Sequence, residues 1–219
     1  MATRQLLAEL MVAYFARSGQ AVAVESVGGV DAAKRVQAGE YFDVDVLASD
    51  AMAKLVDAGH LRADSVTNLG HSGVAVAVRC GTPQPDIATE DAVRQAVLAA
   101  PTLSYSTGPS GVALAKLFEH WGIAAQIKDR IVTAPPGVPV GSLVAKGEVA
   151  LGFQQFSELI HVEGITIVGP LPGAIQVTTT FSAAMTSGCT RAAEVRALLD
   201  FMASPDAAAA KLRQGMVPA

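Results

Sequence analysis

The chain has 219 residues, a formal net charge of −4, 51% hydrophobic residues and 16% charged ones. That supplies a core for one large domain or two small ones and is too apolar for a disordered chain. The acidic balance without a Lys/Arg cluster argues against a nucleic-acid or anionic-membrane surface. No apolar run reaches the ~18–20 residues of a membrane span, and 5% aromatics is low for recognition of sugars or bases by stacking. Composition points to an α/β protein that handles something small.

Residues 4–17 carry Leu6, Leu7, Leu10, Met11 and Tyr14 at helical spacing, which predicts an amphipathic helix ended by Gly19. This start lacks the basic, apolar and small-residue pattern of a signal peptide. AVAVESV, residues 21–27, reads as a strand covered on both faces. Gly28-Gly29 turns into a helix over 31–38, Val44 to Ala48 form the next strand, and Ser49 is the expected N-cap of a helix over 50–58. This alternation predicts a parallel sheet. A strand over 73–79 ends at Arg79, and Pro83 and Pro85 then break the chain. Thr89 is expected to cap a helix over 90–99. A short strand at 102–105 runs into the small-residue turn Ser106-Thr107-Gly108-Pro109-Ser110-Gly111 and a helix over 112–121. Strand 131–133, a turn over Pro135, Pro136, Gly137 and Pro139, and a helix near 140–146 come next. Strand 149–153 leads to Gln154-Gln155 at the start of a short helix, and strand 166–168 stops at Gly169-Pro170. The long segment 174–185 spans back to the first domain, and helices over 190–203 and 205–214 finish the chain, with Ser204 as the expected cap of the last.

Three turns share one design of strand end, small residues and helix start: Gly28-Gly29, Ser49, and Ser106 to Gly111. In an open α/β sheet such turns lie where ligands bind, and a helix N-terminus presents unpaired N–H groups to an oxyanion or carboxylate. Taken singly, Ser49 and Ser110 read as ordinary N-caps; the set of three such turns favours a shared anion. Asp50 weakens the second turn. Arg79 offers a bidentate fork for a carboxylate or is an exposed strand-end arginine. Gln154 offers an amide to a ligand or is solvated at a helix start. His71 and Glu25 are the candidate proton acceptors, both weak. No GxSxG, GxGxxG or phosphate-loop motif is present. Cys80 and Cys189 read as two free thiols, and four scattered His residues with no CxxC or HExxH spacing give no reason to expect a metal or cofactor.

Residues 24–61, with Gly28-Gly29, Gln37-Ala38-Gly39 and Asp45 to Asp50, resemble the first domain of bacterial solute-binding proteins of the molybdate-binding type. GVAVAVRCGTPQPDI, LSYSTGPSG, GFQQFSELI, GITIVGPLPGAIQ and FSAAM resemble a branch of that family that includes aconitate isomerase. The resemblance implies the type II periplasmic-binding-protein fold, an α/β class of two lobes joined by crossing strands with the ligand in the cleft between them. The lobes are expected at 1–78 plus 177–219 and at 79–176. It also implies ligand contacts at Gly28, Gly29, Ser49 and Ser106 to Ser110; with Arg79, Thr107 and Gln154 these are the candidate binding residues, and no catalytic residue is assigned. The implied partners are a small anion and the permease of an ABC transporter. The alternative is an isomerase that moves a double bond in a tricarboxylic acid. A periplasmic location comes from the resemblance, and a cytoplasmic one from the missing signal peptide. Family members begin with a strand and a serine-bearing turn ahead of the first helix. Met1 falls where that turn should end, so strand 21–27 is expected beside a gap and the chain to be less soluble than an extended one.

Overall fold

The computed structural model describes residues 2–135 and 138–219; Met1, and Pro136 and Gly137 of the expected proline-rich turn, lie outside them. The chain divides into two compact units, Met1–Ser72 with Thr179–Ala219, and Gly73–Thr178. Both divisions fall inside strands rather than in the Pro83/Pro85 loop. A strand that passes from one core to the next carries its own backbone pairing across the boundary and needs no linker.

The first unit opens with α1 (Arg4–Ser18), whose buried face is Leu6, Leu7, Leu10, Met11 and Tyr14. Gly19 ends it in the left-handed conformation at φ 70°, its N–H bonded to the Phe15 carbonyl, a position where a Cβ would be strained. Residues 21–27, expected as a strand, belong to no strand, and Val24 is exposed. Apolar composition is not sufficient here: a strand needs ladder pairing for its N–H and C=O groups, and none of the described strands is paired in a ladder with this segment. Next in the chain are α2 (Gly29–Gln37), β1 (Val44–Ala48) and α3 (Ser49–Asp57). β1 pairs antiparallel with β6 (Thr178–Met185), from Val44↔Met185 to Ala48↔Phe181. β6 in turn neighbours β2 (Thr67–Arg79), and β7 (Val217–Pro218) pairs antiparallel with β2 at Gly70 and His71. Among the described residues the expected parallel sheet is therefore absent from this unit. With 21–27 outside the sheet, the partner of β1 arrives from the far end of the sequence and runs the other way. One core joins α1 and α9 (Ala192–Ala203) to Leu69, Ala183 and Met185, with Cys189 among its buried members. A second sets Val36, Leu47, Met52 and Leu55 under α2 and α3. At the chain's end, Ser204 precedes a 3₁₀ turn, Pro205–Ala207, and its hydroxyl bonds back to the Phe201 carbonyl, not forward as a cap; α10 begins only at Ala208 (Ala208–Arg213).

In the second unit, α4 (Glu90–Ala99) is capped by Thr89, whose hydroxyl accepts from the Ala92 N–H at 3.1 Å. β3 (Leu103–Tyr105), α5 (Pro109–His120), α6 (Ala124–Ile127), α7 (Val140–Lys146), β4 (Leu151–Gln155), α8 (Phe156–Leu159) and β5 (Ile165–Pro170) complete it. β4 and β5 both pair antiparallel with the second half of β2, and β3 pairs parallel with β4. Ile131 of the expected strand 131–133 makes only an isolated bridge to Leu103. The core gathers Val74, Val76 and Val78 of β2 with Leu103, Leu114, Phe118 and Phe153. Cys80, just past β2, is exposed, and both thiols are free.

Candidate functional site in the second unit

β3 and β4 are parallel and in register at Leu103↔Leu151, Ser104↔Gly152 and Tyr105↔Phe153. Their carboxyl ends therefore lie side by side. This brings together the turn Ser106 to Ser110, which leaves β3, and the segment Gln154 to Glu158, which ends β4 and leads away from it. It is the end of a parallel pair at which α/β proteins place ligands.

Gly108 is the N-cap of α5, Pro109 fills its first position and Ser110 its second. Proline suits that position because its missing N–H has no helical partner there. Ser110 is thus not the cap; it is buried, and its hydroxyl shares a hydrogen bond with the Ser106 hydroxyl at 3.0 Å. A Cβ on Gly111 would stand 1.5 Å from the Ser106 carbonyl oxygen, so the turn closes this tightly only with glycine there. Thr107 is exposed at the turn's tip. Tyr105, edge-on to Phe118, has its phenol pushed above the usual range by burial, with Glu119 adding to the effect.

Gln154 and Gln155 are the last residues of β4, not the start of a helix, and both are buried. The Gln154 amide is held at both ends. Its Oε1 accepts from the Gly141 N–H at 3.1 Å and its Nε2 donates to Glu158 Oε2 at 2.6 Å. Both polar ends of the amide are thus engaged within the second unit. Burial raises the Glu158 carboxyl, with a nearby positive charge and then the Gln154 hydrogen bond acting against it. Sequence reading missed Glu158, because an acid in the first turn of a short helix ordinarily faces water; the signal was the all-buried strand LGFQQ immediately before it.

Arg79 is not part of this cluster. β2 runs antiparallel to β4, with Ala77 opposite Gly152, so Arg79 sits toward the amino end of β4 while Gln154 marks the other end. Its guanidinium lies over Gly147, the C-cap of α7, where a helix terminus favours a cation.

Helix starts in the first unit

Gly28 is the N-cap of α2 and Gly29 its first residue; Ala48, not Ser49, is the N-cap of α3. Neither cap supplies a side-chain hydrogen bond, which leaves first-turn N–H groups for another acceptor. Asp31 and Asp50 occupy those first turns, and the Asp31 carboxylate lies 3.5 Å from where a Cβ on Gly28 would be. Acids there already satisfy part of the helix dipole. Ser49 is exposed and lines a pocket of about 230 Å³ with Met52, Val56, Asn68 and Ser182, in which the Ser182 hydroxyl donates to Asn68 Oδ1 at 2.8 Å.

Asp45, inside β1, is buried. Its Oδ1 accepts from the Val46 N–H, while Oδ2 has no hydrogen-bond partner among the described residues, and burial raises its pKa. The two acceptors named from sequence are otherwise engaged. Glu25 is ion-paired to Arg35 at 2.7 Å on the surface, and His71 Nδ1 is hydrogen-bonded to Thr180 Oγ1 at 2.9 Å. Among the described residues no group of three metal-ligating side chains occurs, and no helix is long and apolar enough to cross a membrane.

With two α/β units in which the chain crosses inside β2 and β6, the architecture is that of a solute-binding protein. The family profile described as bacterial extracellular solute-binding protein matches residues 1–217, and the chain belongs to that family. A curated relative, aconitate isomerase of a Pseudomonas species, is 42% identical over 187 residues, covering 84% of this chain and 70% of the relative. The periplasmic molybdate-binding protein of Azotobacter vinelandii superposes with a TM-score of 0.80 at 21% identity, over 99% of this chain and 95% of that one. The binding protein AgtB of A. tumefaciens R10, in complex with agropinic acid, superposes with a TM-score of 0.76 at 14% identity, over 100% and 80%. The fold is thus the periplasmic-binding-protein fold, and the chain resembles the molybdate-binding branch expected from its motifs.

Proposed function

We propose that this protein binds a small anion bearing carboxylate or oxyanion groups, and that the second unit's turn at Ser106 to Ser110 carries the recognition. The observation behind this reading is the Ser106–Ser110 hydroxyl pair, half-buried at Ser106 and buried at Ser110, at the start of a twelve-residue helix. Hydroxyls and first-turn N–H groups together make a donor set with no competing acid in the helix's first turn. Thr107, at the tip of the same turn, is a secondary contributor. The role that fits the family is capture of the anion in the periplasm and delivery to an ABC-transporter permease.

A second reading, isomerisation of a tricarboxylic acid, is favoured by the 42% identical relative. It makes the ligand a polycarboxylate such as trans-aconitate. Titration calorimetry of the full chain against trans-aconitate and molybdate tests the binding reading. At least one is expected to bind, and Ser110→Ala to weaken it by about 1.5–3 kcal/mol because the acceptor is charged. If neither binds, or if Ser110→Ala binds as well as the wild type, the reading fails.

A further inference from the structure

We infer that the pocket beside α3 is a second small-molecule site, and that it takes a small organic cation with an apolar body of about ring size. The pocket lies wholly within the first unit and holds about 230 Å³. An apolar cavity of about 150 Å³ is enough for a benzene ring, so a ring with a short substituent fits. The site stands apart from the anion reading, which concerns the second unit.

One face of α3 forms a wall. Ser49, Met52, Ala53, Val56 and Asp57 all line the pocket, at the spacing that puts residues on one side of a helix. Val66, just ahead of β2, adds apolar lining and is 42% exposed, so a guest that covers it gains burial. Met52 is a flexible thioether that adapts to the guest's shape. Polar lining is sparse and specific. Ser182, buried in β6, donates to Asn68 Oδ1 at 2.8 Å. With its oxygen so engaged, Asn68 offers N–H donors to an oxygen on the guest, and Ser49 adds a hydroxyl. A mostly apolar pocket with a few convergent polar groups is the ordinary design of a small-molecule site.

Charge decides the class of guest. Among the described lining residues Asp57 alone is charged, and it belongs to none of the ion pairs among the described residues. Asp64, beside the lining residue Ala63, is by contrast 3.6 Å from the Arg196 guanidinium. A free carboxylate at the edge of an apolar pocket attracts a cation and repels a carboxylate or oxyanion. That is the opposite of the α5 start, where the first turn carries no acid.

The test titrates the isotope-labelled full chain with benzylammonium, benzyl alcohol and benzoate, which share a ring and differ in charge, and follows the backbone amides of Ala53, Val56, Val66 and Asn68 by NMR. Dissociation constants of about a millimolar are expected for guests of this size. Benzylammonium should bind about two- to fivefold more tightly than benzyl alcohol, the gain an exposed carboxylate gives, and benzoate more weakly than the alcohol by a similar factor. Asp57→Asn should bring the three within about twofold of one another. Ala53→Trp, which fills the pocket from an exposed helix position, should weaken the first two at least ~tenfold. Saturating trans-aconitate should leave the benzylammonium shifts in place. The proposal is overturned if benzoate binds as tightly as benzylammonium, if Ala53→Trp leaves binding unchanged, if trans-aconitate displaces the cation, or if none of the three compounds shifts these amides at millimolar concentration.

Discussion

The two units begin their helices with different degrees of preparation for an outside acceptor. In the second, the turn after β3 is closed over Gly111, two hydroxyls are already bonded to each other, and α5 carries no acid in its first turn. In the first, α2 and α3 begin without side-chain caps, both carry an aspartate in the first turn, and the strand between them buries an aspartate with one unsatisfied oxygen. Recognition is therefore expected at the second unit's turn rather than at the helix starts of the first.

That contrast breaks most severely at Gly111. Gly111→Ala places a methyl 1.5 Å from a backbone carbonyl, which no rotamer relieves. We expect ligand binding to be abolished, with stability falling by about 1–3 kcal/mol or more as the turn moves; calorimetry and chemical denaturation check this. Ser110→Ala leaves Ser106 without its partner. Its loss of affinity, roughly ten- to a hundred-fold, should be accompanied by only a small change in melting temperature.

In the first unit the sign reverses. The folded-state pKa of Asp45 is raised above its ordinary value, so the folded protein holds its proton where the unfolded chain has released it. Stability should then fall as pH rises from about 4, the unfolded value, up to the raised folded pKa, and level off above it. Asp45→Asn removes the buried charge. It should flatten that decline and stabilise the protein at pH 7, by ~1–3 kcal/mol if the orphan oxygen costs what buried polar groups usually do. Urea titrations at pH 4 and 7 separate the two outcomes, and a variant less stable at pH 7 refutes the account. Ser49→Ala, lacking a cap bond to lose, should cost under about 0.5 kcal/mol in folding. The smallest effect is expected for Arg79→Gln, which should leave affinity for carboxylates and oxyanions within twofold.

Helices were the most legible part of the sequence. The stripe Leu6, Leu7, Leu10, Met11, Tyr14 and the cap at Thr89 each depend on local spacing, and both stand as read. Strand partnership was not legible, because it is decided by residues far away in the chain. AVAVESV has strand composition but joins none of the described strands, and β1, which starts at Val44, finds its partner in a strand that ends at Met185. The site divided the same way. The turns were visible as small residues before helices, but the removal of Arg79 to the far end of β4 depends on the direction in which β2 passes β4.

The two thiols give the first unit a clock. Cys189 lies 3% exposed in the core with Leu199 and Met216, and burial holds its thiol above the ordinary pKa, whereas Cys80 is exposed in the second unit. A thiolate-seeking reagent therefore modifies Cys80 at once and reaches Cys189 only when the first core opens. The rate of the second modification measures how often that unit breathes, with and without an anion, in a chain that carries no engineered label.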